Sequence, residues 1–479
     1  MNRYGWMKKT LLLLVLQGVI CAFFVFPAFA ELTIEDEKKL GQEFYEKMVK
    51  NDFLIQDRRM NDYITKVGMT VLDSVKLPLF DYHFSIVKSS AVNAFATPGG
   101  YVYVNRGLIS LVETEGELAA VLAHEIAHVN ARHIADMVNK STKVNIAALA
   151  AMIAGAFLGG GDLSAAIMGF SMATAQTMSL KYSRENEEEA DRYGMLYLTK
   201  AGYKGEATLN LLRLMRRYEF YSNSIPSYFL THPGTDDRIR YIDGLLQTTY
   251  VDGGGKDQIV GPFRRIRTVL MTGGGDLETK IKYFEDEVKK NPSDVDGLYG
   301  LGVVQARKGL YGDSAATFRK ALLLAPGDRE ILRDMGIDCF KLGQYTEAID
   351  YLSRAYKMDR GDLRTLAYLG NSYEAMGFYE KALLYYRALE KTELDDEEVY
   401  YSMGMVYGKL KDMGNSHYYF GIYFKKQRKT ETALFHFKEA LKYYPESDFR
   451  FQDIQREIRI LSDEVRPPKK NQVGSGQLP

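Results

Sequence analysis

The C-terminal half of the chain repeats itself every 34 residues, and this period constrains the fold more than any other feature. Small and large residues recur at that interval in several independent positions. These positions are Gly302, Gly336, Gly370 and Gly404; Gly309, Gly343 and Gly377; Phe284, Phe318, Leu352, Tyr386 and Phe420; and Pro292 and Pro326. The period predicts stacked pairs of helices, because one pair cannot bury its apolar face alone.

This pattern resembles the tetratricopeptide repeat. We expect about four full repeats and a leading half over residues 277–445. A further unit is shifted by 17 residues, as though one helix serves two repeats; it contains Gly421, Ala433, Phe437, Ala440 and Pro445. The resemblance implies a superhelix whose concave surface binds protein. The many tyrosines of these helices could line that groove, but packing between helices is the simpler explanation for most of them.

The N-terminal half carries His-Glu-Ile-Ala-His at 124–128, within a segment that has the apolar spacing of a buried helix. Positions i and i+4 share a helix face, so His124 and His128 project together and can hold a zinc ion. Glu125 beside them can take a proton from the attacking water. A solvated helix face is the alternative for an isolated motif, but buried histidines need partners. The motif therefore indicates a zinc hydrolase with one Zn²⁺ per chain.

A tetrahedral catalytic site needs a third protein ligand, and residues 183–194 supply acidic candidates. Glu187 and Asp191 are four residues apart, so a helix puts both carboxylates on one side. Glu187 would ligate the zinc ion, and Asp191 would accept the free N–H of a ligand histidine. The alternative is a charged surface helix whose acids pair with Arg184 and Arg192. The preceding HExxH motif favours the ligand interpretation.

The strings HEIAHVNARH and NEEEADRYG resemble the zinc metalloproteases that include the CAAX prenyl proteases and the HtpX-like membrane proteases. The resemblance covers about residues 31–250 and implies a zincin-like endopeptidase domain with a small β-sheet. It places the third zinc ligand at Glu187 and the acid four residues later at Asp191. It also implies a strand that offers its edge to substrate, and a β-prone segment follows a Pro-Gly-Gly turn at 98–100. The predicted edge strand consists of Tyr101, Val102, Tyr103 and Val104.

Two residues further along the chain are also candidates for the site. A zinc protease benefits from a donor to the developing oxyanion, and His232 is the best candidate, with Arg238 nearby. His232 could instead reach the open position on the zinc ion and block it, as an inhibitory gate; an ordinary loop histidine is the third interpretation. His133 lies five residues beyond His128. On a continuous helix it would point away from the metal, so we expect it to be structural.

The N-terminus predicts a secretory signal peptide that is cleaved after Ala30. Three basic residues precede an apolar run from Leu11 to Phe26, and Ala-Phe-Ala closes it; an uncleaved anchor is the alternative. Removing residues 1–30 removes three positive charges and no acid, so the formal charge falls from 0 to −3. That charge argues against a nucleic-acid partner. Cys339 is then the only cysteine, which excludes a disulfide within one mature chain. We expect a periplasmic protein.

Residues 144–180 carry a single charge, Asp162. The apolar run 144–158 is shorter than the ~20 residues needed to cross a bilayer, and three glycines follow it. We interpret the segment as a helical hairpin that packs near the catalytic helices. A peripheral contact with the membrane is the alternative.

The expected fold is mainly α: a zincin-like metalloprotease domain with a small β-sheet, followed by an α-solenoid of tetratricopeptide repeats. Triple glycines at 253–255 and 273–275 mark the break between the halves. The expected divisions are a signal peptide (1–30), the metalloprotease domain (31–250), a Gly-rich linker with a short helix (251–276), the repeats (277–445), and a C-terminal helix with a disordered tail (446–479).

A secreted protease of this family joined to such repeats resembles periplasmic proteases of outer-membrane quality control. The resemblance implies that the substrates are unfolded or misassembled proteins, in particular outer-membrane β-barrel proteins. It also implies that the repeats recruit substrate or the outer-membrane assembly machinery. Two other function classes stay open. One is a repeat-based chaperone or adaptor with gated or minor proteolysis, and the other is an interaction protein whose zinc is structural.

Overall fold

A computed structural model describes residues 32–140, 181–222, 227–251, 253–392 and 397–465 of the 479-residue chain. The predicted signal peptide, the segment 144–180 and the predicted tail from residue 466 lie outside the described residues. The chain divides into two compact units between Gly274 and Gly275, and helices predominate in both, as the expected fold class requires. Within the described ranges, no helix has the length and apolar character needed to cross a membrane.

The first unit combines three short strands with ten helices in its described part. The strands are β1 (His83–Val87), β2 (Ala94–Thr97) and β3 (Tyr101–Asn105). The helices are α1 (Ile34–Lys50), α2 (Arg58–Leu72), α3 (Arg106–Leu111), α4 (Glu115–Asn130), α5 (His133–Lys140), α6 (Arg184–Lys200), α7 (Glu206–Ser222), α8 (Ser227–Thr231), α9 (Thr235–Thr248) and α10 (Phe263–Thr272).

The sheet has the order β1–β3–β2, with β1 parallel and β2 antiparallel to β3. The residues predicted as the edge strand, Tyr101, Val102, Tyr103 and Val104, therefore lie in the central strand. That prediction is wrong because Val102 pairs with Phe84 on one side and with Ala96 on the other. The strand at the end of the sheet beside α4 is β2.

Helix α4 carries the HExxH motif and forms the centre of the first unit. Thr114 and Glu117 close a capping box at its N-terminus, and every residue from Glu115 to Val129 is buried. Helices α2, α6 and α7 and strand β2 pack around it. A helix enclosed on all sides holds its polar side chains in fixed directions, which is what a catalytic group needs.

Glu115, the first residue of α4, fastens the segment after α9 to this helix. Its carboxylate accepts hydrogen bonds from the phenols of Tyr63 and Tyr203 at 2.5 and 2.8 Å. It also accepts from the three consecutive backbone N–H groups of residues 259–261 at 2.6, 2.8 and 3.0 Å. Helix α10, which we expected in a linker, follows directly and buries Phe263 in the core of the first unit.

The second unit consists of helices in its described part. They are α11 (Leu277–Lys290), α12 (Val295–Arg307), α13 (Tyr311–Leu324), α14 (Arg329–Lys341), α15 (Tyr345–Met358), α16 (Leu363–Ala375), α17 (Tyr379–Glu390), α18 (Glu397–Lys409), α19 (Met413–Lys426), α20 (Thr430–Leu441) and α21 (Phe449–Val465).

The periodic glycines are the points where paired helices touch. A Cβ atom on each of these glycines would lie 2.3–2.9 Å from a large side chain 16 residues later. The pairs are Gly302–Phe318, Gly336–Leu352, Gly370–Tyr386, Gly404–Phe420 and Gly421–Phe437. In α19, Phe420 packs on the glycine of the preceding helix, and the adjacent Gly421 receives the aromatic ring of the following one. The prediction that one helix serves two repeats is confirmed.

Candidate active site

The residues predicted as zinc ligands converge on one point. His124 and His128 leave the same face of α4, and their Nε2 atoms are 3.0 Å apart. Glu187, near the start of α6, lies 3.4 Å from Nε2 of His128 and 3.5 Å from Nε2 of His124. His232 follows α8 and places Nδ1 2.9 Å from Glu187 and 3.3 Å from His124. All four side chains are buried, with donor atoms within 4.8 Å of one another.

This donor set fits a zinc ion. A tetrahedral ion with bonds of about 2.0–2.1 Å separates its ligand atoms by about 3.3 Å. The five separations given above range from 2.9 to 3.5 Å, and all four donor atoms lie within 4.8 Å of one another. Imidazole nitrogens and a carboxylate oxygen are also the ligand types that catalytic zinc sites use. The residues present therefore suit the metal in both type and spacing.

A close approach of α6 to α4 places the carboxylates. A Cβ atom on Gly194 would lie 3.2 Å from the backbone N and Cα of His124, so a glycine allows this approach. Glu187 and Asp191 precede Gly194 by seven and three residues, which puts all three on the same face of α6. Ser183 caps the helix by accepting a hydrogen bond from the backbone N–H of Asn186.

Asp191 and Arg238 form a second layer behind the ligands. Oδ1 of Asp191 lies 3.0 Å from Nδ1 of His124. Arg238 donates two hydrogen bonds of 2.8 Å to Asp191, and its Nη1 lies 2.8 Å from Glu187. Burial would raise the pKa of both carboxyls, but Arg238 and the histidines hold the pKa of each below its usual range. Both acids are therefore charged, which suits a cation site.

Comparison with known proteins agrees with this geometry. Residues 58–246 match peptidase family M48, and residues 276–329 and 333–397 match the tetratricopeptide repeat. The chain carries an M48 metallopeptidase domain followed by tetratricopeptide repeats. The predicted metalloprotease family and repeat type are confirmed.

The M48 domain has curated relatives in bacteria and in mitochondria. It is 31% identical to the beta-barrel assembly-enhancing proteases of Yersinia pestis, over 44% of each chain, and of Escherichia coli, over 43% of each chain. It is 27% identical to the mitochondrial metalloendopeptidase OMA1 of Schizosaccharomyces pombe, over 47% of this chain and 65% of that one. The alignments thus span less than half the length of the two bacterial relatives.

Glu125 lies inside the metallopeptidase domain with no exposed surface. Neither of its carboxylate oxygens has a hydrogen-bond partner among the described residues, and Nε2 of His232 is 3.6 Å from Oε1. Burial raises the pKa of this carboxyl, although His232 and His124 act in the opposite direction. A raised pKa allows Glu125 to accept a proton and hold it.

The structure corrects the expectation for His133. Its Nδ1 lies 2.9 Å from Nδ1 of His128, and its Nε2 lies 3.3 Å from Glu189. Helix α4 ends at Asn130, and Arg132 adopts a left-handed conformation with φ of 55°, so no continuous helix joins the two histidines and the i+5 argument does not apply. Burial lowers the pKa of both His128 and His133, so both rings are neutral.

Two tyrosines that the sequence did not single out enclose the M48 site. The ring of Tyr182 lies 3.9 Å from that of His128, centroid to centroid. The ring of Tyr228 stacks on that of His232 with 4.3 Å between centroids, and the backbone N–H of His232 donates to the carbonyl of Tyr228. Tyr182 directly precedes the α6 cap and Tyr228 lies in α8, so proximity to the acidic and His-Pro-Gly motifs was the only signal for either residue.

Proposed function

We propose that this chain is a periplasmic zinc-dependent endopeptidase that degrades misassembled outer-membrane β-barrel proteins. The peptidase proposal rests on one observation: four buried donor atoms converge beside the carboxylate of Glu125, whose oxygens have no hydrogen-bond partner among the described residues. The printed name of the bacterial relatives, beta-barrel assembly-enhancing protease, supports the substrate class. The signal-peptide pattern supports the compartment. The repeats support recruitment of substrate or of the assembly machinery.

The catalytic roles follow from the contacts of each side chain. His124, His128 and Glu187 would hold the zinc ion, which supplies a Lewis acid for the water and the scissile carbonyl. Glu125 accepts the proton of the attacking water and later passes it to the leaving amine. Asp191 accepts a hydrogen bond from Nδ1 of His124 and leaves Nε2 of that ring directed at the ligand group.

The position of His232 supports an enzyme in which this histidine blocks the open ligand position. Its Nδ1 occupies the fourth corner of the donor group, the position that catalytic zinc sites keep open. A donor to an oxyanion must lie beside the substrate and not in this position, so the inhibitory interpretation fits the observed arrangement better. We expect His232→Ala to raise basal cleavage several-fold. A loss of activity in this variant would favour the oxyanion role.

An extended substrate has a more suitable strand than the one predicted. Strand β2 ends the sheet next to α4, its residues are buried, and Ala96, Thr97 and Pro98 line a small void of about 10 Å³ together with His128 and Tyr182. A peptide can add to such an edge through main-chain hydrogen bonds once the segments that cover β2 move aside. A photo-crosslinking residue at position 98 should capture bound peptide, and one at position 102, in the central strand, should not.

The first experiment compares the mature chain with its Glu125→Gln variant. The substrate is an unfolded outer-membrane β-barrel protein, and zinc content is measured on the same samples. We expect one zinc per chain in both proteins and cleavage by the wild type alone. Glu113→Gln, a change in an exposed glutamate before α4, is the matched control and should retain cleavage.

Three outcomes separate the candidate functions. Equal cleavage by wild type and Glu125→Gln contradicts the assigned proton transfer. Zinc in both proteins with cleavage in neither, together with suppression of substrate aggregation, favours the chaperone or adaptor. Absence of zinc from the wild type overturns the metallopeptidase mechanism.

A further inference from the structure

The two ligand histidines of the M48 domain are held by different kinds of partner. Nδ1 of His124 meets the buried carboxylate of Asp191 at 3.0 Å. Nδ1 of His128 meets another imidazole, that of His133, at 2.9 Å. The outer nitrogen of His133 then meets Glu189 at 3.3 Å. Asp191 is inaccessible, whereas the Glu189 side chain is 42% exposed, so only the second arm reaches the surface.

The proposed zinc site determines which nitrogen atoms donate and which accept along this arm. Nε2 of His128 faces His124 and Glu187, and a nitrogen that binds a metal must present a lone pair there. The proton of His128 is therefore on Nδ1, which donates to Nδ1 of His133. Since Nδ1 of His133 must accept this hydrogen bond, the proton of its ring is on Nε2, which donates to Glu189. Each hydrogen bond along this arm therefore has one donor and one acceptor.

The backbone is built to deliver His133 to this position. Arg132 adopts a left-handed conformation between α4 and α5, and its side chain holds this turn by donating to Glu37 at 2.7 Å and to the carbonyl of Leu32 at 2.6 Å. His133 is 2% exposed, and the ring of Tyr182 covers the adjacent His128. A non-glycine residue with positive φ is costly, and such positions persist where the surrounding structure demands them.

We propose that His133 is a positioning residue that, backed by Glu189, fixes the tautomer and orientation of His128 for zinc binding. The inference rests on the proposed zinc site. It makes the two arms unequal: His124 is fixed by a buried charged pair, and His128 by a neutral ring that ends in a surface carboxylate. Loss of an outer partner of this kind typically weakens metal binding by about 10–100-fold.

The test measures zinc affinity of the full mature chain by competition with a chelator. His133→Phe keeps a ring but removes the acceptor for His128, and we expect its zinc dissociation constant to rise by about 10–100-fold. His133→Asn puts an amide oxygen near the position of Nδ1 and should restore affinity to within a few-fold of wild type. Glu189→Gln should weaken zinc binding only a few-fold. Glu188→Gln, the exposed neighbour on α6, is the charge-matched control and should have no effect.

Melting of the metal-free proteins separates positioning from packing. A positioning role predicts that His133→Phe and His133→Asn differ in zinc affinity far more than in metal-free melting temperature. Equal weakening in both variants, or wild-type affinity in His133→Phe, overturns the proposal while the zinc site stands. A wild type that binds no zinc overturns the proposed function itself. If His133→Phe does not fold, His133→Gln, whose amide reaches past the Nδ1 position, takes its place in the comparison with Asn.

Discussion

The metallopeptidase unit and the repeat unit both bury carboxylates, but they satisfy them differently. In the repeats, Asp334 accepts hydrogen bonds of 2.8 and 3.0 Å from the guanidinium of Arg333 and one of 2.8 Å from the phenol of Tyr299. Burial opposes its ionisation, yet Arg333 and Arg364 lower its pKa to about 2. In the metallopeptidase unit, Glu115 is satisfied by five uncharged donors. Both acids are structural because both oxygens of each carboxylate accept hydrogen bonds.

Glu125 and Asp338 form the contrasting pair. Each has buried oxygen without a hydrogen-bond partner in the part of the chain that is described, and burial raises the pKa of each. Glu125 lies beside a convergent group of metal ligands, whereas Asp338 lies among repeat helices near Ser314 and Asp334. An unsatisfied buried carboxyl is therefore not enough to identify catalysis. The convergence of other groups on the same point makes the difference.

The largest expected loss of stability follows from a substitution of Glu115, whose carboxylate accepts five hydrogen bonds. Glu115→Gln turns one acceptor atom into a donor that faces phenol or backbone N–H groups, so several hydrogen bonds are lost at once. We expect the free energy of unfolding of the first unit to fall by about 3–5 kcal/mol. Calorimetry can follow the two units as separate transitions. The exposed Glu113→Gln control should cost less than about 0.5 kcal/mol, and a similarly small loss at Glu115 would contradict the structural role.

Asp338 should make the stability of the repeat unit depend on pH. Burial and the Asp334 carboxylate, opposed by a hydrogen bond from Ser314, raise its pKa to about 7. Because the folded pKa exceeds the unfolded value of about 3.9, the folded state favours the protonated acid. This contribution is complete below the unfolded pKa and is lost as the pH rises to about 7.

The repeat unit should thus lose about 2–3 kcal/mol between pH 4 and pH 7 through this residue. Asp338→Asn has no proton to lose, so denaturant titrations across this range should show a smaller decline for the variant. Parallel pH profiles for the two proteins would show that Asp338 is ionised in the folded state.

Local periodicity predicted the parts of the molecule that local geometry determines. The i, i+4 spacing placed His124 beside His128 because both lie within one continuous helix. The same rule placed Glu187 and Asp191 on one face of α6. In the repeats, the interval between glycines identified the contact points and the shared helix α19. The two residues of each contact are only 16 positions apart in the sequence.

Predictions from residue spacing failed where the chain leaves regular structure or where distant segments meet. His133 was misplaced because Arg132 ends the helix in a conformation that no pattern signals. The edge strand was misassigned because the parallel partner of β3 cannot be read from the strand itself. Arg238 was expected near the site, but its contacts with two acids about 50 residues earlier in the chain are tertiary contacts that spacing does not encode.

A smaller effect, on zinc affinity, is expected from a substitution where α4 and α6 touch. Gly194→Ala adds a Cβ atom 3.2 Å from the backbone of His124, so α6 must shift by a few tenths of an ångström and carry Glu187 and Asp191 with it. We expect zinc affinity to fall on the order of 10-fold, measured by chelator competition. Gly244→Ala in α9 is the control, because no atom of the described residues lies within 4 Å of its Cβ position. Equal affinity in both variants would mean that the helix contact tolerates the methyl group.

The smallest expected change in stability concerns the turns between paired helices of the repeat unit. Gly309, Gly343 and Gly377 close their helix pairs with φ of 75–84°, and Lys411 and Arg428 take the corresponding positions with φ of 63° and 56°. The last two turns keep the same backbone hydrogen-bond pattern as the glycine turns, so only the side chain differs. Lys411→Gly should therefore stabilise the unit by about 0.5–1 kcal/mol, because glycine adopts this conformation without steric cost. The reverse change, Gly377→Ala, should destabilise it by a similar amount in the same denaturant titration. If Lys411→Gly lowers stability, the lysine side chain contributes more through its contacts than the backbone conformation costs.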